Sequence, residues 1–534
     1  MTAISSISAA TQPLVVANVA TTTPVVSAVA GSASTAASPS SVVTLGEDPR
    51  VPDAQTYDVR SLIANAAVAP AWEYTRQDQV SLNMTGNFST SSGTARFQGL
   101  GATLLSQLAQ TGQSISQSVI RSSTGKALEP SELEAAQAKL RSDSPDNNTI
   151  SLTLKTASGK TVQLTLSSSD NGLAVKADVS GGELSDDELA ALGKMADGFQ
   201  TAIDGLTAKP PQLKLDALTQ FDSKVFTSID LNTRFKLDDG SIQTFSLQAD
   251  EDQRSVRLSG PSGDLDVSVD LKNAAIIGNS DQQAKALKGY ISQIEAARKR
   301  GDGDPALLSM FEDAFKTLHS HYPGVRESTA PQTVNSIVLT DTDHSLLTGL
   351  ADFSASVKEK TEASNPARPD ELDSFAYDIS QKTQAKGRDQ LNRSLVQDQQ
   401  SHLVAAYHKA LTPGQKLELT RDPKSQNYLY YEINDSASSK TRIGYEKGAL
   451  VQASVDQSAS QSTRISKYVM GRLESQTLTP LTSTKTQNFL SVLQQALQQD
   501  KEAKLGRGVS TLKETLAAIQ EKVLLENDPA KLNS

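Results

Sequence analysis

The four residues SGKT at positions 158–161 have the types that a phosphate site uses, because they match the last part of a P-loop. In such a loop backbone N–H groups surround the phosphates and the lysine neutralises their charge. The pattern also needs a glycine five positions before Gly159, where Leu154 stands, and a helix after the loop, where an alternating strand pattern follows. We therefore predict a turn at Gly159 and no nucleotide site.

A second partial motif lies at Gly99-Leu100-Gly101, which supplies two of the three glycines of the dinucleotide fingerprint G-x-G-x-x-G. Leu104 stands where the third glycine is needed. The preceding stretch 84–97 is rich in Ser, Thr, Gly and Asn, whereas the fingerprint follows an apolar strand. The sequence thus predicts no cofactor-binding residue and no cofactor.

The chain has five histidines, of which His319 and His321 are only two residues apart. On a helix, residues two apart point in different directions and cannot chelate a metal as an i, i+4 pair does. Asp341, Asp343 and His344 follow further along, so a metal cluster is one hypothesis for these five residues. The alternative is an ordinary polar loop, which we favour, and we predict no metal ligand.

Asp302 and Asp304 resemble two ligands of a calcium loop, but Pro305 and the missing downstream glutamate break the pattern. We expect this pair to cap a helix. No H-E-x-x-H or G-x-S-x-G motif occurs. Among 61 acidic residues the sequence singles out no acid–base pair, so any catalytic residues are unknown.

The composition excludes several classes of chemistry. The 534 residues contain no Cys, which removes disulfides, thiolate nucleophiles and cysteine-held zinc or iron–sulfur sites. The formal net charge is −10 and no long Lys/Arg stripe is present, which argues against a nucleic-acid partner. Aromatic residues make up only 4 %, so the core must be built from Leu, Val, Ile and Ala.

Residues 1–46 carry no charged side chain and are rich in Ala, Ser, Thr and Val. Such a composition is typical of a disordered low-complexity tail, which we place at 1–50. A plain flexible tail and a leaderless export signal are the two alternatives, because bacterial type III and flagellar-type substrates often begin with Ser/Thr-rich stretches. We predict neither a secretory signal peptide nor a transmembrane helix. The expected location is the cytoplasm, or outside it by a leaderless route.

The rest of the chain is organised around a β-unit, 150–179, in which apolar and polar residues alternate on both sides of Gly159. A three-residue loop at 157–159 keeps both apolar sets on one face of the hairpin, whereas a two-residue turn would not. A similar unit recurs 81 residues later, at 231–260. Three identities align the units: Lys155 with Lys236, Gly159 with Gly240, and Leu166 with Leu247. A true duplication and two unrelated hairpins are both open at this point.

These patterns predict an α+β fold in which antiparallel β-meander units are separated by helical segments. The predicted organisation is a disordered tail (1–50), a linker and helical segment (51–145), a duplicated β-region with an intervening helix at 185–206 (146–275), a helical region (276–412), a third antiparallel β-block (413–470) and C-terminal amphipathic helices (471–534). Within the helical region we expect helices over 346–360 and 394–411, beside a helical hairpin that breaks near Asp302.

The segment SGGELSDDELAALGKMADGFQTAIDGL (180–206), between two β-units and behind an Ala/Ser/Thr-rich tail, resembles a family of bacterial proteins without established function. The likeness extends over most of the chain, and its motifs are structural. Some members carry a lactate dehydrogenase label. This sequence has neither the dinucleotide fingerprint nor a His–Asp pair that such an activity needs, so no catalytic residue is carried over.

We hypothesise a non-enzymatic bacterial interaction or structural protein, exported or associated with the cell envelope, with a cytosolic enzyme as the alternative. Two amphipathic helices near the C-terminus offer self-association or a docking surface for a protein partner. Their apolar stripes are Phe489, Val492, Leu493 and Leu497 in the first helix, and Val509, Leu512, Leu516, Ile519 and Val523 in the second.

Overall fold

The computed structural model describes residues 69–90, 93–122, 126–322 and 337–533. The tail predicted at 1–50 and the first part of the predicted linker lie outside these residues. Within them, the α+β fold with antiparallel meanders is confirmed.

A single antiparallel sheet of fifteen strands contains every strand named in the described ranges. The strands are β1 (Ala71–Trp72), β2 (Ile115–Ile120), β3 (Asn148–Thr156), β4 (Thr161–Ser169), β5 (Gly172–Ser180), β6 (Phe226–Lys236), β7 (Ile242–Asp250), β8 (Gln253–Ser259), β9 (Gly263–Asp270), β10 (Asp352–Glu359), β11 (Ser374–Asp389), β12 (Asn392–Ala410), β13 (Tyr428–Glu446), β14 (Ala449–Val469) and β15 (Arg472–Asn488). Their spatial order is β1-β2-β5-β4-β3-β6, followed by β7 to β15 in sequence.

Helices connect the strands and cover most of one face of this sheet. They are α1 (Gln79–Phe88), α2 (Leu100–Thr111), α3 (Pro130–Arg141), α4 (Asp186–Thr207), α5 (Asp216–Thr219), α6 (Ser280–Gly301), α7 (Pro305–Leu318), α8 (Asp341–His344), α9 (Leu490–Lys504), α10 (Leu512–Gln520) and α11 (Pro529–Leu532). α2 packs on α4, α7 lies over β8 to β10, and α6 lies over β11 and β12. α3 packs on the other face, where Leu140 joins Ile120 and Ala174.

Both predicted hairpin loops have the expected length and conformation. The Thr156 N–H donates to Lys160 O at 2.9 Å, which leaves three residues in the loop, and Gly159 has φ +87°. The second loop is closed in the same way by the Leu237 N–H, which donates to Ser241 O at 2.9 Å, and Gly240 has φ +82°. Glycine occupies this left-handed conformation without the steric cost that other residues pay. The two units lie side by side, because β3 pairs with β6.

The helices predicted over 346–360 and 394–411 are wrong. The first stretch contains β10 and the second contains β12. In β12 every second residue from Arg393 to Ala405 is buried, but two of these residues, Gln397 and Gln399, are glutamines with 0 % exposure. Because an alternation of apolar residues is the usual sign of a strand, buried glutamines conceal it.

The region predicted as C-terminal helices begins instead with β15. The two helices follow as α9 and α10, and Leu493 and Ile519 from their apolar stripes are buried in one apolar cluster with β14. Val509 lies before α10 and is 82 % exposed. The apolar stripes of the two helices therefore pack largely against other parts of the same chain.

Candidate functional site

The residues of the partial P-loop bind a carboxylate of the protein itself. Ser158 Oγ donates to Glu188 Oε1 at 2.6 Å, and Lys160 Nζ donates to Glu188 Oε2 at 2.9 Å. Glu188 also accepts from the N–H of Ser185, which caps α4. Burial alone would raise the pKa of Glu188, but the hydrogen bonds from Ser158, Ser185 and Lys160 together outweigh it and lower the pKa to about 2. The loop thus fastens the first β-unit to α4.

The glycines of the partial dinucleotide motif serve helix packing. Gly99 precedes α2 with φ +69°, and the Gly101 N–H donates to Gln200 Oε1 at 2.8 Å. A Cβ atom at Gly101 would lie 2.6 Å from Ile203 Cδ1, so glycine lets α2 approach α4 closely. A helical turn at 95–97, and no strand, precedes the motif.

The residues considered as a metal cluster take part in separate interactions. His319 Nδ1 lies 2.6 Å from the Tyr322 hydroxyl, and both side chains belong to the interior. Asp343 Oδ2 accepts from Arg393 Nη2 at 2.7 Å in a buried ion pair. Over the ranges that the structure describes, no group of three or more His, Asp or Glu side chains is placed to hold a metal ion.

Asp302 and Asp304 cap helices, as predicted. Asp304 Oδ1 accepts from the Leu307 N–H at 2.7 Å at the start of α7. Asp302 ends α6 in the left-handed conformation, with φ +57°.

A buried cluster around His408 joins the loop between β10 and β11 to the sheet. His408 Nδ1 lies 2.6 Å from Asp373 Oδ1, and its Nε2 lies 3.2 Å from Glu371 Oε2. Glu371 Oε2 also accepts from the Tyr428 hydroxyl at 2.6 Å. The His408 side chain is 1 % exposed, so these groups bind one another and do not face a substrate. No pattern along the chain indicates this cluster, because its members come from three separate segments.

The residues that most resemble a catalytic set are Asp378, His402 and Ser436, opposite one another on β11, β12 and β13. They line a groove of about 670 Å³ on the uncovered face of the sheet. Their types match a Ser-His-Asp triad, but His402 Nε2 lies 3.3 Å from Asn434 Oδ1, which is its hydrogen-bond partner. The three strands are paired on both sides, so their backbone N–H groups bond to neighbouring strands and cannot stabilise an oxyanion. Asp378, His402 and Ser436 therefore form a polar surface that lacks the hydrogen-bond donors of an oxyanion hole, which acyl transfer requires.

The sheet ends in β15, and no other strand of the described residues pairs with its outer edge. Two bonds show which backbone groups face that edge. The Phe489 N–H donates to Ala453 O at 2.8 Å, so Ala453 faces β15, while the Ser462 N–H donates to Asp435 Oδ1 at 3.1 Å and faces β13. Along an antiparallel strand, the backbone N–H and C=O groups of successive residues point alternately to one neighbouring strand and to the other. The backbone groups of even-numbered residues of β14 therefore point away from β15. Pro480, opposite Ser462, therefore directs its backbone nitrogen to the open edge.

The same alternation gives the open edge a row of backbone donors. The outward N–H groups belong to Gln476, Leu478, Thr482, Thr484 and Thr486. Proline has no N–H, so the row is interrupted at Pro480. Leu478 and Leu481 are 56 % and 46 % exposed, and the charged residues of the strand stand towards its ends. A long, weakly charged open edge is a template for another extended chain.

Comparisons with models of protein families, with curated proteins and with solved structures found no match. No helix in the described part of the chain is long and apolar enough to cross a bilayer. The candidate site therefore rests on geometry, and it is the open edge of β15.

Proposed function

We propose that this is a non-enzymatic interaction protein that binds an extended segment of a protein partner at the open edge of β15. The observation that carries the proposal is a strand of 17 residues at the end of the sheet, with outward backbone groups and little charge. Main-chain hydrogen bonds to such an edge supply affinity, and the side chains of alternate residues supply specificity.

The two sides of β15 define the chemistry of the partner segment. Thr482 and Thr484 lie opposite Ser460 and Ser458 and carry hydroxyl groups on the uncovered face. Leu481 lies on the opposite side and is half exposed. Directly opposite residues of paired strands share a face, so the partner segment alternates small polar and apolar residues. Pro480 confines the longest uninterrupted row of donors to the second half of the strand.

The test compares Thr484→Pro with Thr484→Ala. Proline at this position removes an outward N–H without breaking a bond inside the sheet, as Pro480 already does. Alanine keeps the N–H and removes the hydroxyl and methyl groups of the side chain. Peptides selected for binding from a random library of uncharged peptides serve as probes. We expect edge-binding peptides to lose about tenfold in affinity for the proline variant, the value of one backbone hydrogen bond, and little for the alanine variant. If every selected peptide binds both variants equally, the edge is not the site.

We also propose export by a leaderless route, or association with the cell envelope, on the basis of the uncharged Ser/Thr-rich residues 1–46. Fusion of residues 1–60 to a reporter tests this. Retention of the reporter in the cytoplasm of every secretion-competent strain would contradict export. The resemblance of 180–206 to a bacterial family and the cytosolic-enzyme alternative stay predictions.

A further inference from the structure

The end of the chain, residues 522–533, is bound to the helix-covered side of the sheet; we name it the C-terminal segment. Between 522 and 527 it is not part of a helix or strand, and side chains of other elements bond to its backbone. The bonds run from Gln399 Nε2 to Val523 O (2.8 Å), Ser439 Oγ to Val523 O (3.0 Å), Gln457 Nε2 to Leu524 O (2.7 Å), the Leu525 N–H to Gln399 Oε1 (3.1 Å), Gln293 Nε2 to Leu525 O (2.7 Å) and Gln461 Nε2 to Asn527 O (3.1 Å). Amide side chains that bond to backbone atoms recognise a polypeptide in a fixed register.

Apolar side chains of the segment fill spaces between these bonds. Val523 is fully buried in the apolar cluster that includes Ile443 and Val455. Leu525 and Leu532 form another cluster with Ala437 and Ala459. The two alanines lie opposite each other on β13 and β14, and their small side chains leave room for the leucines. The groove therefore combines sequence-independent backbone contacts with pockets that select apolar residues.

The connection before the segment permits it to move as a unit. Gly506 and Gly508, between α9 and α10, have φ of +74° and +101°, and no atom lies within 4 Å of a Cβ added at either position. The neighbouring Leu505 and Val509 are 71 % and 82 % exposed. Rotation at these glycines would release α10 and the segment together with α11, which packs on β14 and β15.

We propose that this groove is a polypeptide-binding site, occupied here by the chain's own C-terminal segment, and that the C-terminal segment of a second copy takes its place. Departure of the segment alone would break the hydrogen bonds of Gln293, Gln399 and Gln457 to its backbone and open the apolar cluster around Val523 to water, which is costly. Exchange for an identical segment restores every bond, and a second copy carries the sequence that fits. Reciprocal exchange produces a closed, symmetric dimer. This site and its partner are distinct from the open edge of β15, so either proposal can fail without the other.

The first experiment uses the full chain with Leu525→Asp, which weakens its own segment but keeps the groove. A labelled synthetic peptide of residues 519–533 is titrated against the variant and the natural chain. We expect the variant to bind the peptide at least about tenfold more tightly, because the natural segment competes at a high effective concentration. A peptide with Leu525→Asp is the matched control and is expected to bind neither. Failure of the natural peptide to bind a folded variant overturns the proposal, and so does equal binding of a scrambled peptide.

The second experiment uses the natural chain and does not depend on how a variant folds. Hydrogen exchange of the Leu525 amide is compared with that of amides in β12 and β13. Exchange requires the segment to open locally, so we expect the Leu525 amide to exchange faster than the strands. If all these amides exchange at the same rate, exchange occurs through global unfolding and the segment does not open by itself. That result would overturn the proposal. Mixed dimers of unlabelled and ¹⁵N-labelled copies, detected by native mass spectrometry after incubation at high concentration, are the expected product of exchange.

Discussion

Ser151 and Asn232 lie directly opposite each other in the β3–β6 pair, and they occupy the same position in the two β-units, 81 residues apart. The flanking pairs mirror one another: Ile150 with Thr233, and Leu152 with Leu231. A local two-fold axis therefore passes between Ser151 and Asn232, perpendicular to the sheet. Two identical edges pair in this way in symmetric dimers. The symmetry favours a duplicated unit over two unrelated hairpins.

If the two loops are equivalent, Gly159→Ala and Gly240→Ala should destabilise the protein equally. Both glycines have positive φ, and an added Cβ meets no atom within 4 Å at either position, so only backbone strain is introduced. We expect each substitution to lower the free energy of unfolding by about 1 kcal/mol, measured by urea denaturation. Asparagine, which tolerates this conformation better, serves as the control and should cost less. Clearly unequal losses for the two alanine variants would speak against equivalent loops.

Glu188→Gln should destabilise the protein near neutral pH and have less effect in acid. The folded-state pKa of Glu188 is lowered to about 2, so its carboxylate stabilises the fold above its unfolded pKa of roughly 4.3. That contribution, about 2–3 kcal/mol, is lost as the pH falls through the folded pKa. Denaturant midpoints of the two proteins should therefore converge between about pH 4.5 and pH 2. Asp187→Asn removes an exposed charge from the same turn of α4 and is the control. A difference that stays constant with pH would show that the carboxylate's charge is not what stabilises this contact.

His319 should make the protein less stable in mild acid. Burial, and then the nearby Arg254 guanidinium, lower the pKa of His319 to about 3. The folded state requires the neutral ring of His319. The contribution of this ring to the free energy of unfolding is therefore complete above the unfolded pKa of about 6.5. It is lost as the pH falls towards 3, to the extent of roughly 4 kcal/mol. His319→Asn, which cannot ionise, should flatten the dependence of unfolding free energy on pH over this range. His402→Asn makes the same exchange of side chains on the uncovered face and is the control for the substitution itself. Parallel curves for His319→Asn and the natural protein would exclude His319 as the source.

Local elements could be predicted from the sequence, whereas the sites could not. Gly159 and Ser185 reveal a loop and a helix start because their roles depend on a few neighbouring residues. The sequence pattern does not indicate β12, because Gln397 and Gln399 are polar residues at buried positions. It does not indicate β15 either, because the residues of β15 are largely exposed on both faces and show no alternation of apolar and polar side chains. The groove for the C-terminal segment combines side chains from α6, β12, β13 and β14. No spacing along the chain indicates residues that only tertiary structure brings together.

From β7 to β15 each strand pairs with the strand before it in the sequence. A chain that leaves the ribosome from its N-terminus can therefore extend this part of the sheet strand by strand, since the partner of each new strand has already been synthesised. The helical insertion of α6 and α7 between β9 and β10 is the one long delay in the described part of that series. β3 differs, because it lies between β4 and β6 and is paired on both sides only after β6 has been made. Each new strand of this series therefore leaves an open edge for the next one, and β15 is the strand of the described residues whose outer edge stays unpaired.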